Sequence, residues 1–395
     1  LGDVYKRQVH NKAEQNVQFV YVDQDTPAVV ESVEFINERQ KVEISVEKQD
    51  AENGSTIAGA EFGLYAKEDI KAGGKVIVKA DEQLCTAVTG EDGTAIFEQN
   101  LPFGSYYIKE LQAPDGFVSS DEIIEVTVSY QGQDVEVVRL KEIFKNQPTT
   151  VEFRKSDLTT GVELDGATLT VLDKDGNEID KWTSVKGEPH IIKRLHVGET
   201  YILREEFAPY GYLKAEEVEF TITDTAEIQK VEMKDDVPIG RIIINKKGEF
   251  LSEVSWNDMV AGAMDSIWGY VTGSLKDVTF EIYAREDIKA ADGESDDYYK
   301  KDELVATIKT DELGIARTDD LPLGKYYVVE KETADGFVLD GEPRDIDLTY
   351  RDQDTPVVTF DSEWQNSRQK AKVIVTKKEK DSDLSLIHIS EPTRR

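Results

Sequence analysis

Four lysines in this 395-residue chain end the same kind of segment. Lys48 follows Ile44 and Val46, Lys155 follows Val151 and Phe153, Lys246 follows Ile242 and Ile244, and Lys377 follows Val373 and Val375. Side chains two apart on a strand share a face, so each lysine points inward with its apolar neighbours. A second set has the same property. The stretch YYIKELQAPDGF at Tyr106–Phe117 returns as YILREEFAPYGY at Tyr201–Tyr212 and, altered, as YYVVEKETADGF at Tyr326–Phe337. Its strand spacing puts Glu110 with Tyr106 and Ile108, Glu205 with Tyr201 and Leu203, and Glu330 with Tyr326 and Val328. A carboxylate on a buried, aromatic-lined face is costly unless something uses it. The third set, Asn146, Asp236 and Asn366, with Asn37 near the start, stands just before each next lysine segment. An amine, an acid and a carboxamide or carboxyl would meet in each core.

The elements that position these groups are repeats, which decide the architecture before any single strand does. Residues 23–40, DQDTPAVVESVEFINERQ, match 352–369, DQDTPVVTFDSEWQNSRQ, without a gap. Residues 9–40 are therefore expected to be the tail of one domain. Three full repeats follow at 41–147, 148–239 and 240–370, and residues 371–383, with KVIVTKK, repeat an opening strand. Alternation at period two, with Gly, Asp and Pro punctuation about every ten residues, predicts all-β antiparallel sandwiches of the immunoglobulin-like, prealbumin-like kind. In the third repeat an insertion at 248–276 spaces Trp256, Met259, Val260, Ala263, Met264, Ile267 and Trp268 as on one face of a helix, so an amphipathic helix is predicted there, packed on the sandwich edge or a neighbouring domain. The other reading of that segment is an exposed face for a partner. DKDGNE at 173–178 places its glycine too early for a calcium loop and predicts a tight hairpin turn.

Composition narrows the function classes. With 47 basic against 80 acidic residues the net charge is -33, which disfavours nucleic acid or an anionic membrane as partner. A single cysteine, Cys85, rules out an internal disulfide framework and reads as a small core or edge residue in register with Ala306. No apolar run is long enough to span a bilayer. The four histidines, His10, His190, His196 and His388, are scattered, and no metal-spaced cluster, Ser–His–Asp set or phosphate loop stands out, so no cofactor is expected. The ends DVYKRQ (Asp3–Gln8) and LSLIHISEPTRR (Leu384–Arg395) resemble translated sequencing-adaptor termini, and residues 1–8 and 384–395 are expected to be scars outside the fold.

The glutamate stretch resembles the Y-x-L-x-E-x-x-A-P-x-G-Y motif of Cna B-type (SpaA-like) domains of Gram-positive surface proteins and pilins, and the likeness covers nearly all of residues 9–383. The resemblance implies an intramolecular isopeptide bond from lysine to asparagine or aspartate with the glutamate as catalyst. By position it implies the triads Lys48–Glu110–Asn146, Lys155–Glu205–Asp236 and Lys246–Glu330–Asn366. Asp235 is an alternative acid in the second; in the third, Ala334 replaces the motif's proline and Lys247 stands beside Lys246. Asn37 and Lys377 are expected to stay unreacted. The physical logic agrees: burial disfavours ammonium and carboxylate alike, contact supplies effective concentration, and the product is uncharged. The bland alternative is exposed lysines in ordinary ion pairs.

Taken together, the resemblance implies the stalk of an extracellular, cell-wall-bound adhesin or pilus-like protein. Its partners would be neighbouring domains of the same chain and, through missing or inserted regions, a host extracellular-matrix or cell-surface ligand. The alternative is a spacer or binding module of a larger secreted enzyme.

Overall fold

The computed structural model describes residues 9, 11–97, 100–260, 263–378 and 385–387. The expected terminal scars, His10 and His388 lie outside these, apart from a short strand at Ser385–Ile387. By packing, the chain divides into two compact units. One runs to Arg154 and adds Leu169–Arg204 and Glu217–Met233; the other takes Lys155–Thr168, Glu205–Glu216 and everything from Lys234.

In the first unit, the strand Lys41–Asp50 is the middle of a three-stranded sheet. Its alternation of β-branched and polar residues buries Val42, Ile44, Val46, Lys48 and Asp50 and turns the residues between them outward. Thr94–Phe97 pairs with it antiparallel on one side, and Val137–Asn146 pairs with it in parallel on the other. A facing antiparallel sheet runs in the order Gln83–Val88, Glu61–Ala66, Gly104–Gln112, Ile123–Val128. The apolar faces close on Ile44, Val46, Phe62, Leu64, Tyr106, Ile108 and Phe144. Cys85 is half-buried opposite Leu64, the ladder position that Ala306 holds opposite Ile282 in the third repeat, and burial pushes its thiol pKa up.

The same unit holds part of the second repeat, where Thr150–Phe153 pairs with His190–Lys193 and Thr200–Leu203 pairs with Val218–Thr221, both antiparallel. Asp173–Glu178 makes the expected tight turn, with Gly176 at φ +83 where a side chain would be strained. Consecutive repeats touch within the unit: the Arg194 guanidinium reaches Asp50 at 2.7 Å and lies over the Phe117 ring, and Lys193 reaches Glu52 at 2.7 Å.

In the second unit, the third repeat opens with the strand Ile239–Val260. Its first ten residues run parallel to Val357–Asn366, and Ile243–Asn245 pairs antiparallel with Ile315–Arg317. The facing sheet has the order Leu304–Lys309, Thr279–Ala284, Gly324–Glu332, Arg344–Leu348. Ile242, Ile244, Phe280, Ile282, Tyr326, Val328 and Trp364 fill the space between. Here too successive repeats touch, with the Tyr350 hydroxyl donating to the Tyr212 carbonyl at 3.0 Å.

Among the described residues of 248–276 the predicted helix is absent. The opening strand instead continues past Lys247 and returns through Ala263–Ser274 as a long hairpin, in which Val254 lies opposite Trp268 and Val260 opposite Ala263. Gly248, Gly269 and Gly273, with β-branched Val254, Ile267, Val271 and Thr272, cost a helix stability at each position. Extending an existing strand gives the backbone its hydrogen bonds without nucleating a helix. Trp256 and Trp268 are 65% and 51% exposed, so these two do not pack on the sandwich edge.

Candidate functional site

The site of each repeat is assembled from three strands that come from distant parts of its sequence. In the first, the opening strand brings Lys48, the strand Gly104–Gln112 brings Glu110 and the closing strand Val137–Asn146 brings Asn146. The lysine and asparagine are 98 positions apart in sequence, yet the Lys48 ammonium donates to Asn146 Oδ1. It also stands 2.8 Å from Glu110 Oε1. The asparagine amide donates to both Glu110 oxygens at 2.9 Å, and the backbone N–H of Ser120 fixes Oε2 at 2.9 Å. The glutamate therefore touches the amine and the group that would leave.

The surroundings are apolar. Lys48 has no exposed surface, and the Phe62 and Phe144 rings wall its amine at 5.5 and 5.8 Å. Burial pushes the Lys48 pKa down, with Glu110 opposing the shift; Lys246 moves the same way for the same reason, with Glu330 as its counter-charge. Desolvation thus favours the neutral, nucleophilic amine.

The second site lies wholly in the second unit. Lys155 donates to Asp235 Oδ1 and stands 3.0 Å from Glu205 Oε1, all three with fully buried side chains. The expected partner Asp236 does not reach this site. In Gln229–Asp235 the inward positions are Val231, Met233 and Asp235, and the next residue along, Asp236, is exposed. One step of register moves a side chain to the other face, and that step decides between two adjacent acids. Burial is the main cause that pushes the Asp235 carboxyl up to about 7; Lys155 pulls against it and Glu205 adds to it. The Ala215 N–H holds Glu205 Oε2 at 2.7 Å, as Ser120 holds Glu110, in each case ten residues beyond the glutamate. The repeated spacing could have exposed this anchor in the sequence, but nothing in the residue types at Ser120 and Ala215 marks it.

In the third site, Lys246 Nζ lies 2.7 Å from Glu330 Oε2, with both side chains buried. Asn366 donates from Nδ2 to Glu330 Oε1 and to the Thr333 hydroxyl, the latter at 2.8 Å. Its carbonyl oxygen is buried without a hydrogen-bond partner among the described residues. Lys247 is half-buried, one step along the strand from fully inward Lys246 and Gly248. Asn37 and Lys377 are exposed.

The three matched regions of the family comparison fall one within each repeat: a model of the SpaA prealbumin-like fold domain matches residues 42–142, 149–237 and 270–364. The chain belongs to the SpaA family of prealbumin-like fold domains. Among solved structures, the Bacillus anthracis TIE protein is similar at 22% identity over 84% of this chain, with a TM-score of 0.51. The chain spans about half of that protein, 52% of its length. The major pilin subunit BcpA of Bacillus cereus is similar at 16% identity over 84% of this chain and 100% of its own, with a TM-score of 0.40. The major pilin SpaD of Corynebacterium diphtheriae is similar at 16% identity over 84% of this chain and 98% of its own, with a TM-score of 0.33. No curated protein matches at the same stringency.

Proposed function

We propose that this SpaA-family chain is a load-bearing segment of a Gram-positive surface stalk, each module closed by an isopeptide bond between its first and last strands. The observation that carries the reading is the recurrence, in three modules, of a buried lysine and a buried glutamate against a closing-strand asparagine or aspartate.

The chemistry follows from the contacts in the first module. The proton on Lys48 has an acceptor at 2.8 Å in Glu110, and its transfer removes two charges from an apolar core at once. The amine then attacks Asn146 Cγ. As the Cγ–Nδ2 bond breaks, Glu110 gives its proton to Nδ2 and takes one from the new amide nitrogen, and ammonia leaves. Asp235 in the second module reacts as a carboxylic acid, so its C–O bond breaks and water leaves. The fold supplies the nearness that free side chains lack.

An ion pair kept for its own sake is a poor explanation of such sites. Desolvating both charges costs several kcal/mol, and apolar replacements of similar volume are often as stable. A covalent link between parallel first and last strands has a mechanical use instead: tension entering at one end of a module leaves at the other through the bridge, bypassing the sheet.

Fragmentation mass spectrometry of the digested protein tests this. Branched peptides joining Lys48 to Asn146 and Lys155 to Asp235 are expected, and Glu110→Ala removes only the first. Linear peptides alone would overturn the reading.

A further inference from the structure

The motif around the catalytic glutamate carries Ala113-Pro114 in the first module and Ala208-Pro209 in the second, but Thr333-Ala334 in the third. The exchange puts a hydroxyl where the other two have a methyl. That hydroxyl accepts a hydrogen bond from Asn366 Nδ2 at 2.8 Å. The same amide nitrogen also donates to Glu330, so both of its hydrogens are engaged. The side-chain orientation follows from these partners, since two acceptors fix the NH2 end and aim Oδ1 away from them.

The result differs from the first module at the reacting bond. There the lysine donates to the carbonyl oxygen of Asn146, placing amine and carbonyl together. Here the lysine donates to Glu330, and the Asn366 carbonyl oxygen is buried with no donor among the described residues. The Asn146 nitrogen also has two acceptor contacts, both on Glu110, so what separates the modules is the carbonyl end: beside the amine in the first, without a donor among the described residues in the third. An amine held off the carbonyl it must attack loses on the order of a hundredfold in rate for about 1 Å of misplacement.

We infer that Thr333 is a positioning residue that holds the Asn366 amide in an unreactive orientation, so that the third module closes much more slowly than the first. This rests on the cross-linking proposed above and deepens it: the modules of one chain would mature in sequence, leaving a stretch around the third that stays extensible longest. The bond at issue is Lys246 Nζ to Asn366 Cγ, with the same loss of ammonia.

The test is a time course after cell-free synthesis of the full chain, with the occupancy of each branched peptide read by mass spectrometry. The first module's bond is expected to form at least tenfold sooner than the third's. Thr333→Ala, which installs the residue the other two modules carry, should bring the third to within about threefold of the first by freeing the amide to turn its carbonyl to the amine. Thr333→Ser, which keeps the hydroxyl, should stay slow. Equal rates for the first and third modules in the unaltered chain, or no acceleration in Thr333→Ala while the first bond forms normally, would overturn the role of Thr333. If the first module's bond does not form either, the cross-linking proposal itself fails, which the same spectra distinguish.

Discussion

Lys48 and Asn146 face one core from adjacent parallel strands, but they are not ladder partners. Lys48 pairs with Phe144, and Asn146 lies two positions further on, opposite Asp50. The third module repeats the offset: Lys246 pairs with Trp364, and Asn366 lies opposite Gly248. The offset gives the long lysine a run along the strand to its partner and leaves an aromatic directly beside its stem. That aromatic packs on another from the facing sheet, Phe144 on Phe62 at 4.8 Å and Trp364 on Phe280 at 5.5 Å, which keeps water from the amine.

Lys48→Ala should remove both the bond and the buried amine of the first module. The loop that the proposed bond would close spans 98 positions, and the chain-entropy relation used for disulfides puts its loss at about 4 to 5 kcal/mol. Thermal unfolding is expected to show the first module melting well below its unaltered counterpart. An unchanged transition would mean that no covalent loop was present.

Asp235→Ala should abolish the second module's branched peptide, and Asp236→Ala should leave it intact. Peptide mapping of the two variants decides the matter. Loss of the bond in Asp236→Ala alone would contradict the burial of Asp235 against Lys155.

Formation of the second bond should slow as pH rises through about 7, because Asp235 must be in its acid form to lose water and its carboxyl is pushed up to about 7. Glu205→Gln, which keeps the pair unreacted, gives the matching stability effect. The unfolded carboxyl titrates near its ordinary 3.8, while burial, the largest cause of the shift, still holds the folded one above that value once Glu205, a lesser cause, is gone. Stability is therefore greatest at the acid end of the window between the two values and falls as pH rises through it. Denaturant unfolding of Glu205→Gln between these pH values checks the sign; stability rising with pH would contradict it.

Much of this was legible in the sequence, because period two and repetition are strong signals in strands. Lys48, Lys155 and Lys246, together with Glu110, Glu205 and Glu330, are buried on the inward faces that their spacing implied. What the sequence left open turned on single steps. Asp235 and Asp236 are chemically alike, and only the register of Gln229–Asp235 tells them apart. The hairpin after Lys247 carries its large apolar residues at spacings a helix would also produce, and pairing partners that settle the matter lie on the returning strand. The parallel pairing of first and last strands was equally silent, since alternation does not encode strand direction. Thr333 stood in plain view as a departure from the alanine of its two counterparts, but its meaning needed the position of the Asn366 amide.

The most direct test of the central claim is the intact mass of the fully matured protein under denaturing conditions. Three closed modules predict a mass below that of the encoded chain by two ammonias and one water, with Glu110→Ala recovering one ammonia. A mass equal to that of the encoded chain would contradict the account.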